Sequence, residues 1–160
     1  MSVEQPRPEP PCPAWVETSM ANEQKSFANF MRKERTAAGS AYAAGDGRLV
    51  TRISTKRDPA TFLGPGGGIV SGAKRVIANN EKGAKGFGPG GRNEFKVVQS
   101  AAADRLAFWT GFQVAKVRLP GKPGLVSMKL RVTEIFRREK SSWRLVHRHG
   151  DMLAKPAGKK

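Results

Sequence analysis

The sequence is short of cysteine, of long apolar runs and of acidic residues. Its one cysteine is Cys12, so neither an internal disulfide nor a cysteine-rich zinc site can form. No stretch approaches the roughly 18 consecutive apolar residues of a membrane-spanning helix. The first fifteen residues carry Pro and Glu where a secretory signal needs an apolar core. We therefore expect a cytoplasmic protein that does not enter the membrane.

The scarcity of acidic residues leaves a large positive charge. There are 29 Lys and Arg against 13 Asp and Glu, a formal net charge of +16. Such a charge is typical of proteins that bind nucleic acid, but a solvated basic surface has the same composition. The basic residues are spread along the chain in short pairs such as Arg32-Lys33 and Arg137-Arg138, without a block of five or six. This dispersal makes nucleic acid a less favoured partner.

The length of 160 residues suits a single domain. Residues 1–18 contain five prolines and little periodicity, which predicts a tail, with Trp15 able to pack on the domain. Residues 153–160 form a second, basic tail. The domain is predicted over residues 19–152.

Hydrophobic periodicity predicts three helices followed by strands. The first helix covers 19–44, with a kink at Gly39. A short helix follows Asp46, and a third covers 72–84 after a small hairpin around residues 64–67. A glycine-rich loop is expected over 83–91. Four antiparallel strands are predicted over 93–101, 104–119, 125–138 and 142–150. The result is an α+β fold whose long strands must form a curved sheet that encloses a cavity.

The sequence contains a formal match to a cofactor-binding motif, but the elements predicted around it do not fit such a site. The run Gly86–Gly91 matches G-x-G-x-x-G, but a dinucleotide site needs a strand before this motif and a helix after it. Here the predicted helix precedes and the predicted strand follows. We therefore expect no cofactor.

Three titratable residues on the last two strands are candidates for chemistry. His147 and His149 are two residues apart on one strand, so their side chains share a face. A metal site would need a third ligand, for which Glu134 is the best candidate, but a packed and a solvated histidine explain the pair more simply. Glu134 lies among apolar residues. On the inner face it must be paired or have a raised pKa, and on a bulge it is an ordinary surface residue.

The last hairpin resembles the nuclear transport factor 2-like superfamily, in particular its SnoaL-like branch. The resemblance rests on Leu130-Arg-Val-Thr-Glu-Ile-Phe-Arg-Arg-Glu139 and Trp143-Arg-Leu-Val-His-Arg-His149, supported by Arg57-Asp-Pro59 and Gly72 upstream. It covers roughly residues 22–152. It implies a cone of three helices against a curved, mostly antiparallel sheet, the cystatin-like architecture, with homodimerisation through the open sheet face. The hub domain of calcium/calmodulin-dependent kinase also resembles this hairpin.

The resemblance further implies a set of site residues. Glu134 or His149 would act as the base and Tyr42 as a hydrogen-bond donor, as in the ketosteroid isomerases and polyketide cyclases of this superfamily. Hub-domain pockets have arginines where this chain has Thr110 and Glu134, which argues against the same anionic ligand. The other implied pocket positions are Phe62, Phe108, Phe136 and His147.

Three functions remain open from the sequence. The first is a small-molecule-binding protein that acts as a cofactor-independent isomerase, cyclase or dehydratase on a compact apolar carbonyl compound. The second is a non-catalytic ligand-binding or assembly module of the same fold. The third is a basic protein that binds nucleic acid.

Overall fold

The helical layer begins with one long, irregular helix. The computed structural model describes residues 11–153. Helix α1 (Ala14–Phe30) runs into a π-helical segment (Met31–Arg35) and then into α2 (Thr36–Ala43) without a break. Two shorter helices follow, α3 (Arg48–Ile53) and α4 (Ala73–Ala84). Among the residues described, no helix is both long and apolar enough to cross a membrane.

The sheet has six strands, which in chain order are β1 (Thr61–Leu63), β2 (Ile69–Ser71), β3 (Gly88–Ala103), β4 (Leu106–Arg118), β5 (Val126–Glu139) and β6 (Ser142–Met152). Their spatial order is β2-β1-β6-β5-β4-β3. Among these six strands of the described residues, only the β1–β6 pair is parallel. The predicted α+β fold with a curved, mostly antiparallel sheet is confirmed.

Two bulges curve the long strands. The β3–β4 register shifts between Val97 and Gln99, and the β5–β6 register shifts between Ile135 and Phe136. A bulge bends its strand and increases the local twist. Gly111 lies opposite the first bulge with φ of 158°. A Cβ at this position would meet the Lys96 carbonyl oxygen at 2.1 Å, so the curvature depends on glycine here.

The core lies between the long helix and the inner face of the sheet. Phe27 of α1 contacts Phe136 of β5 and Trp143 of β6, with ring centroids 5.3 and 5.4 Å apart. Burial of large aromatic side chains contributes about 1.5–3 kcal/mol each relative to exposure. This aromatic cluster fills the space between α1 and the β5–β6 hairpin.

Two predicted boundaries differ from the structure. Helix α1 begins at Ala14, inside the segment predicted as a tail, and Trp15 is 75% exposed instead of packing on the domain. Strand β3 begins at Gly88, inside the predicted loop, because extended backbone can pair with β4 whatever its side chains. Most of the predicted N-terminal tail, and the C-terminal tail beyond residue 153, lie outside the described residues.

Candidate functional site

A cavity of about 140 Å³ opens between α2, α3, α4 and the inner face of the sheet. Most of its wall is apolar, and its polar groups come from a few residues. The apolar side chains are those of Ala43, Val50, Phe62, Pro65, Phe87, Ala115, Val117, Met128, Leu130 and Leu145, and the polar ones are those of Arg35, Tyr42, Asn80, Gln113 and Arg148. An apolar pocket with a few convergent polar groups is the usual form of a small-molecule site.

Arg35 reaches the cavity from the end of the π-helical segment. The wider turn of a π-helix changes which residues of the helix face the sheet, and such segments are frequent at functional sites. Phe30 and Met31 on the preceding turn are buried in the core. Arg35 is only 4% exposed, and its guanidinium carbon lies 4.3 Å from the centroid of the Phe95 ring. The long helix therefore carries a buried cation directly after its apolar contact with the core.

Glu134 is the centre of a buried hydrogen-bond network. Its carboxylate is fully buried. Arg35 donates to it through Nε at 2.8 Å and Nη2 at 2.7 Å, and the Trp109 indole N–H donates at 2.7 Å. Arg148 also donates to Glu134 Oε1. The carboxylate therefore accepts bonds from two guanidinium groups and one indole.

The network continues from Arg148 to the first long strand. Arg148 Nη2 donates to Gln113 Oε1 at 2.5 Å, and Gln113 Nε2 donates to Asn93 Oδ1 at 2.6 Å. These residues come from β6, β4 and β3, so one chain of hydrogen bonds crosses the sheet. It holds the Arg148 guanidinium at the cavity wall.

The charges of Arg35, Arg148 and Glu134 beside the cavity do not sum to zero. Arg35 and Arg148 supply two positive charges, and Glu134 supplies one negative charge. Burial by itself raises the pKa of Glu134, but the charges of Arg35 and Arg148 and the hydrogen bonds that it accepts lower its pKa to about 2. Burial also lowers the pKa of Arg148, against the opposing effect of Glu134. The cavity end therefore carries one uncompensated positive charge.

Tyr42 brings a neutral donor to the same cavity. Burial raises the pKa of its phenol, with the positive charges of Arg148 and Arg35 acting in the opposite direction. The hydroxyl is therefore protonated at neutral pH and can donate a hydrogen bond.

The structure brings some of the predicted site residues together at the cavity. Tyr42 and Phe62 line it. Glu134 lies behind the wall and is bonded to the two lining arginines. Phe136 does not reach the cavity, because it packs in the aromatic core against Phe27 and Phe30.

Four other predicted site residues do not line this cavity. Phe108 and Thr110 of β4 alternate with the buried Ala107 and Trp109, so their side chains lie on the outer face of the sheet. His147 and His149 also face outward, and His147 Nδ1 lies 2.7 Å from the Thr61 hydroxyl. Among the described residues, no three His, Cys, Asp or Glu side chains come close enough to hold a metal ion.

The bulge in the last hairpin explains the orientation of the histidines. Phe136 pairs with Leu145 and Ile135 pairs with His147, which leaves Val146 as the extra residue. After the bulge, the inward position falls on Arg148. The sequence places Arg148 and the two histidines on opposite faces of one strand, but it does not say which face is inner. The cations at the cavity are therefore supplied by Arg35 and Arg148, at positions other than those of Thr110 and Glu134.

Comparisons with known proteins identify the fold. The profile of a SnoaL-like domain family matches residues 35–155. A proposed dehydratase of the nuclear transport factor 2-like family from Streptomyces avermitilis superposes with a TM-score of 0.66 at 18% identity, covering 82% of this chain and 99% of that one. A proposed calcium/calmodulin-dependent protein kinase type II association domain from Thiobacillus denitrificans gives 0.59 at 17% identity, covering 79% and 94%.

A third solved structure shares this fold. A proposed ketosteroid isomerase from Parabacteroides distasonis gives a TM-score of 0.53 at 18% identity, covering 72% of this chain and 81% of that one. No protein of curated function matches the chain significantly. At these identities the superpositions establish the shared fold.

Proposed function

The chain belongs to the SnoaL-like domain family, and we propose that its cavity binds a compact, largely apolar molecule through an anionic oxygen. The apolar wall would hold the body of the ligand. Arg35, Arg148 and the Tyr42 hydroxyl would hold its carboxylate or enolate oxygen. The volume of about 140 Å³ suits a small ring or a short branched chain.

The uncompensated positive charge of the Arg35–Glu134–Arg148 cluster carries this proposal. A buried charge without a partner is costly, and an anionic ligand would neutralise it. Arg35 Nη1 is also buried and has no acceptor within the part of the chain that the structure describes. A buried donor without an acceptor costs about 1–3 kcal/mol. A ligand oxygen at this end of the cavity would relieve both costs.

The geometry favours binding over the proton-transfer chemistry expected from the sequence. Glu134 has a pKa of about 2 and already accepts bonds from three side chains, so it is a poor base at neutral pH. His149, the other predicted base, lies on the opposite face of the sheet. None of the cavity-lining residues carries a carboxylate or an imidazole. Tyr42 and the arginines would therefore stabilise an anion and not remove a proton.

The proposal is tested with matched pairs of ligands. Benzoate and cyclohexanecarboxylate are compared with benzyl alcohol and cyclohexanemethanol, by calorimetry and thermal shift. We expect the carboxylates to bind more tightly. Arg148→Met should weaken carboxylate binding about tenfold to a hundredfold, since hydrogen bonds to charged groups contribute about 1.5–3 kcal/mol. The Glu134–Arg35 pair remains neutral in this variant, so it should fold.

Lys129→Met is the control, because it removes the same charge from an exposed position on the outer face. It should leave carboxylate binding unchanged. Equal binding of each acid and its alcohol, or equal losses in the two variants, would contradict the proposal.

A second candidate function is assembly through the outer face of the sheet. Phe108 and Phe112 are partly exposed on this face, and Ile135 is 37% exposed. A second copy of the chain would cover these side chains, which is the homodimer expected from the sequence. This role is compatible with a ligand in the cavity, because the two surfaces lie on opposite sides of the sheet.

A further inference from the structure

Five basic residues that are scattered in the sequence meet at one end of the sheet. They are Lys85, Arg92, Lys116, Arg118 and Lys122, called here the basic strip, and all five side chains are exposed. Lys85 follows α4, Arg92 lies on β3, Lys116 and Arg118 lie on β4, and Lys122 lies in the β4–β5 turn. The strip lies outside the cavity described above and shares no residue with it.

The strand register places two of these cations side by side. Arg92 of β3 is the direct cross-strand partner of Lys116 of β4. Both residues flank inward-facing positions, since Asn93 bonds to Gln113 and Ala115 is buried. Like charges directly opposite each other destabilise a sheet. The fold therefore tolerates a repulsion that an anionic partner would relieve.

The strip continues along β4 into a shallow depression. Arg118 is the next outward residue after Lys116, and it pairs with Gly88. A Cβ at Gly88 would lie 3.0 Å from the Arg118 side chain, so the glycine allows the arginine to lie across the start of β3. Arg118, Lys85 and Lys122 line a depression of about 390 Å³. Its other lining residues are uncharged, with glycine at 86, 88 and 121.

No member of the strip forms an ion pair with any residue between 11 and 153, whereas seven arginines elsewhere do. The acidic residues next to the strip are Glu94, which pairs with Val114, and Glu81, which lies one helical turn before Lys85. They contribute two negative charges beside five positive ones. The local potential is therefore positive over a continuous surface.

We propose that the basic strip binds the phosphate backbone of a single-stranded nucleic acid. The cations follow a line from the outer face of the sheet into the depression, and a flexible strand can follow such a line. A flat bilayer surface would not reach a concave depression. Because the cations of the strip would contact phosphates and not base edges, binding is expected to be independent of sequence.

The experiment compares two variants of equal charge. In the strip variant, Arg92, Lys116, Arg118 and Lys122 are replaced by Gln. In the control, Lys25, Lys33, Lys74 and Lys140 are replaced by Gln; these are exposed and form no ion pair with the described residues. Each variant loses four positive charges. Binding of a fluorescent 20-nucleotide single strand is measured by anisotropy between 25 and 200 mM salt.

The strip variant should bind at least tenfold more weakly at low salt. The slope of log K against log salt should decrease in magnitude by about 3, from about 0.7 for each lost phosphate contact on a single strand. The control should retain most of the affinity and the wild-type slope. Arg148→Met should bind the oligonucleotide normally, which separates this proposal from that of the cavity.

Three results would overturn the proposal. The first is an equal loss in the strip variant and the control, which would assign binding to total charge alone. The second is the absence of measurable binding at 25 mM salt. The third is strip-dependent binding to vesicles that contain phosphatidylserine, without binding to the oligonucleotide, which would make the partner a membrane.

Discussion

Glu134 is the residue on which the buried charges depend. It is the carboxylate that compensates Arg35 and Arg148, and it is fully buried. Removing one partner of a buried ion pair costs more than the pair itself contributes, because the remaining charges have no counterion. Glu134 therefore stabilises the fold through the arginines that it neutralises.

The change Glu134→Gln should lower the free energy of unfolding by about 3–5 kcal/mol, since it leaves two guanidinium groups buried without a counterion. Urea unfolding at neutral pH measures this loss. Glu94→Gln, an exposed change of the same chemistry on β3, should have an effect within about 0.5 kcal/mol. Similar stability of the two variants would contradict the ion-pair assignment.

The lowered pKa of the Glu134 carboxylate predicts that the free energy of unfolding depends on pH. Its pKa is lowered to about 2 in the folded protein from an ordinary value of 4.5. A depressed pKa contributes stability above the unfolded value, and this contribution is lost as the pH falls toward the folded value. The stability difference between wild type and Glu134→Gln should therefore shrink between about pH 5 and pH 2. Unfolding curves at several pH values check this, and a constant difference would refute it.

At the scale of residues, the sequence predicted a paired state for Glu134 as one of three alternatives. Its apolar neighbours required a partner, a raised pKa or a surface position. The partners themselves were not predictable, since Arg35 is 99 residues away in the chain. Nothing local in the sequence marks an arginine within a basic helix as buried.

At the scale of elements, the long helix approaches the sheet through Gly39. The sequence predicted a kink at this residue, but the irregular turn lies earlier, at Met31–Arg35. Gly39 is helical and buried, and a Cβ there would lie 2.5 Å from Asn93 Nδ2 and 2.8 Å from the Phe95 ring. The lack of a side chain at Gly39 therefore allows α2 to pack closely against β3.

Gly39→Ala should lower the free energy of unfolding by about 1–3 kcal/mol, as overpacking does in a well-packed region. Alanine normally stabilises a helix relative to glycine by about 0.5–1 kcal/mol, so a loss of stability would identify the close contact as its cause. Thermal unfolding measures the change. An increase in stability would mean that α2 and β3 separate without cost.

The helices and strands were largely predictable from the sequence, because hydrophobic periodicity and turn residues are local signals. Strands β1 and β2 lie within the predicted hairpin, and α4 within the predicted third helix. The bulge at Val146 was not predictable, because a bulge arises from the pairing of two strands. That single residue decides that Arg148 faces the cavity and the histidines do not.

At the scale of the whole molecule, the outer sheet face predicts self-association. Ile135→Asp introduces a charge at the centre of this face and should convert a dimer into a monomer in sedimentation velocity. Met20→Asp is the control, since Met20 is 45% exposed on α1, away from the sheet face. A wild-type protein that sediments as a monomer at micromolar concentration would contradict the dimer.

The net charge of +16, the lone cysteine and the α+β order of helices and strands were determined by the sequence, because composition and periodicity do not depend on how distant residues meet. Tertiary structure decided the rest. It determined which side chains of β6 face the helices, and it paired Glu134 with Arg35 and Arg148. It also placed cations that are dispersed in the sequence next to each other in the basic strip. These outcomes depend on strand register and helix packing, which join residues far apart in the chain.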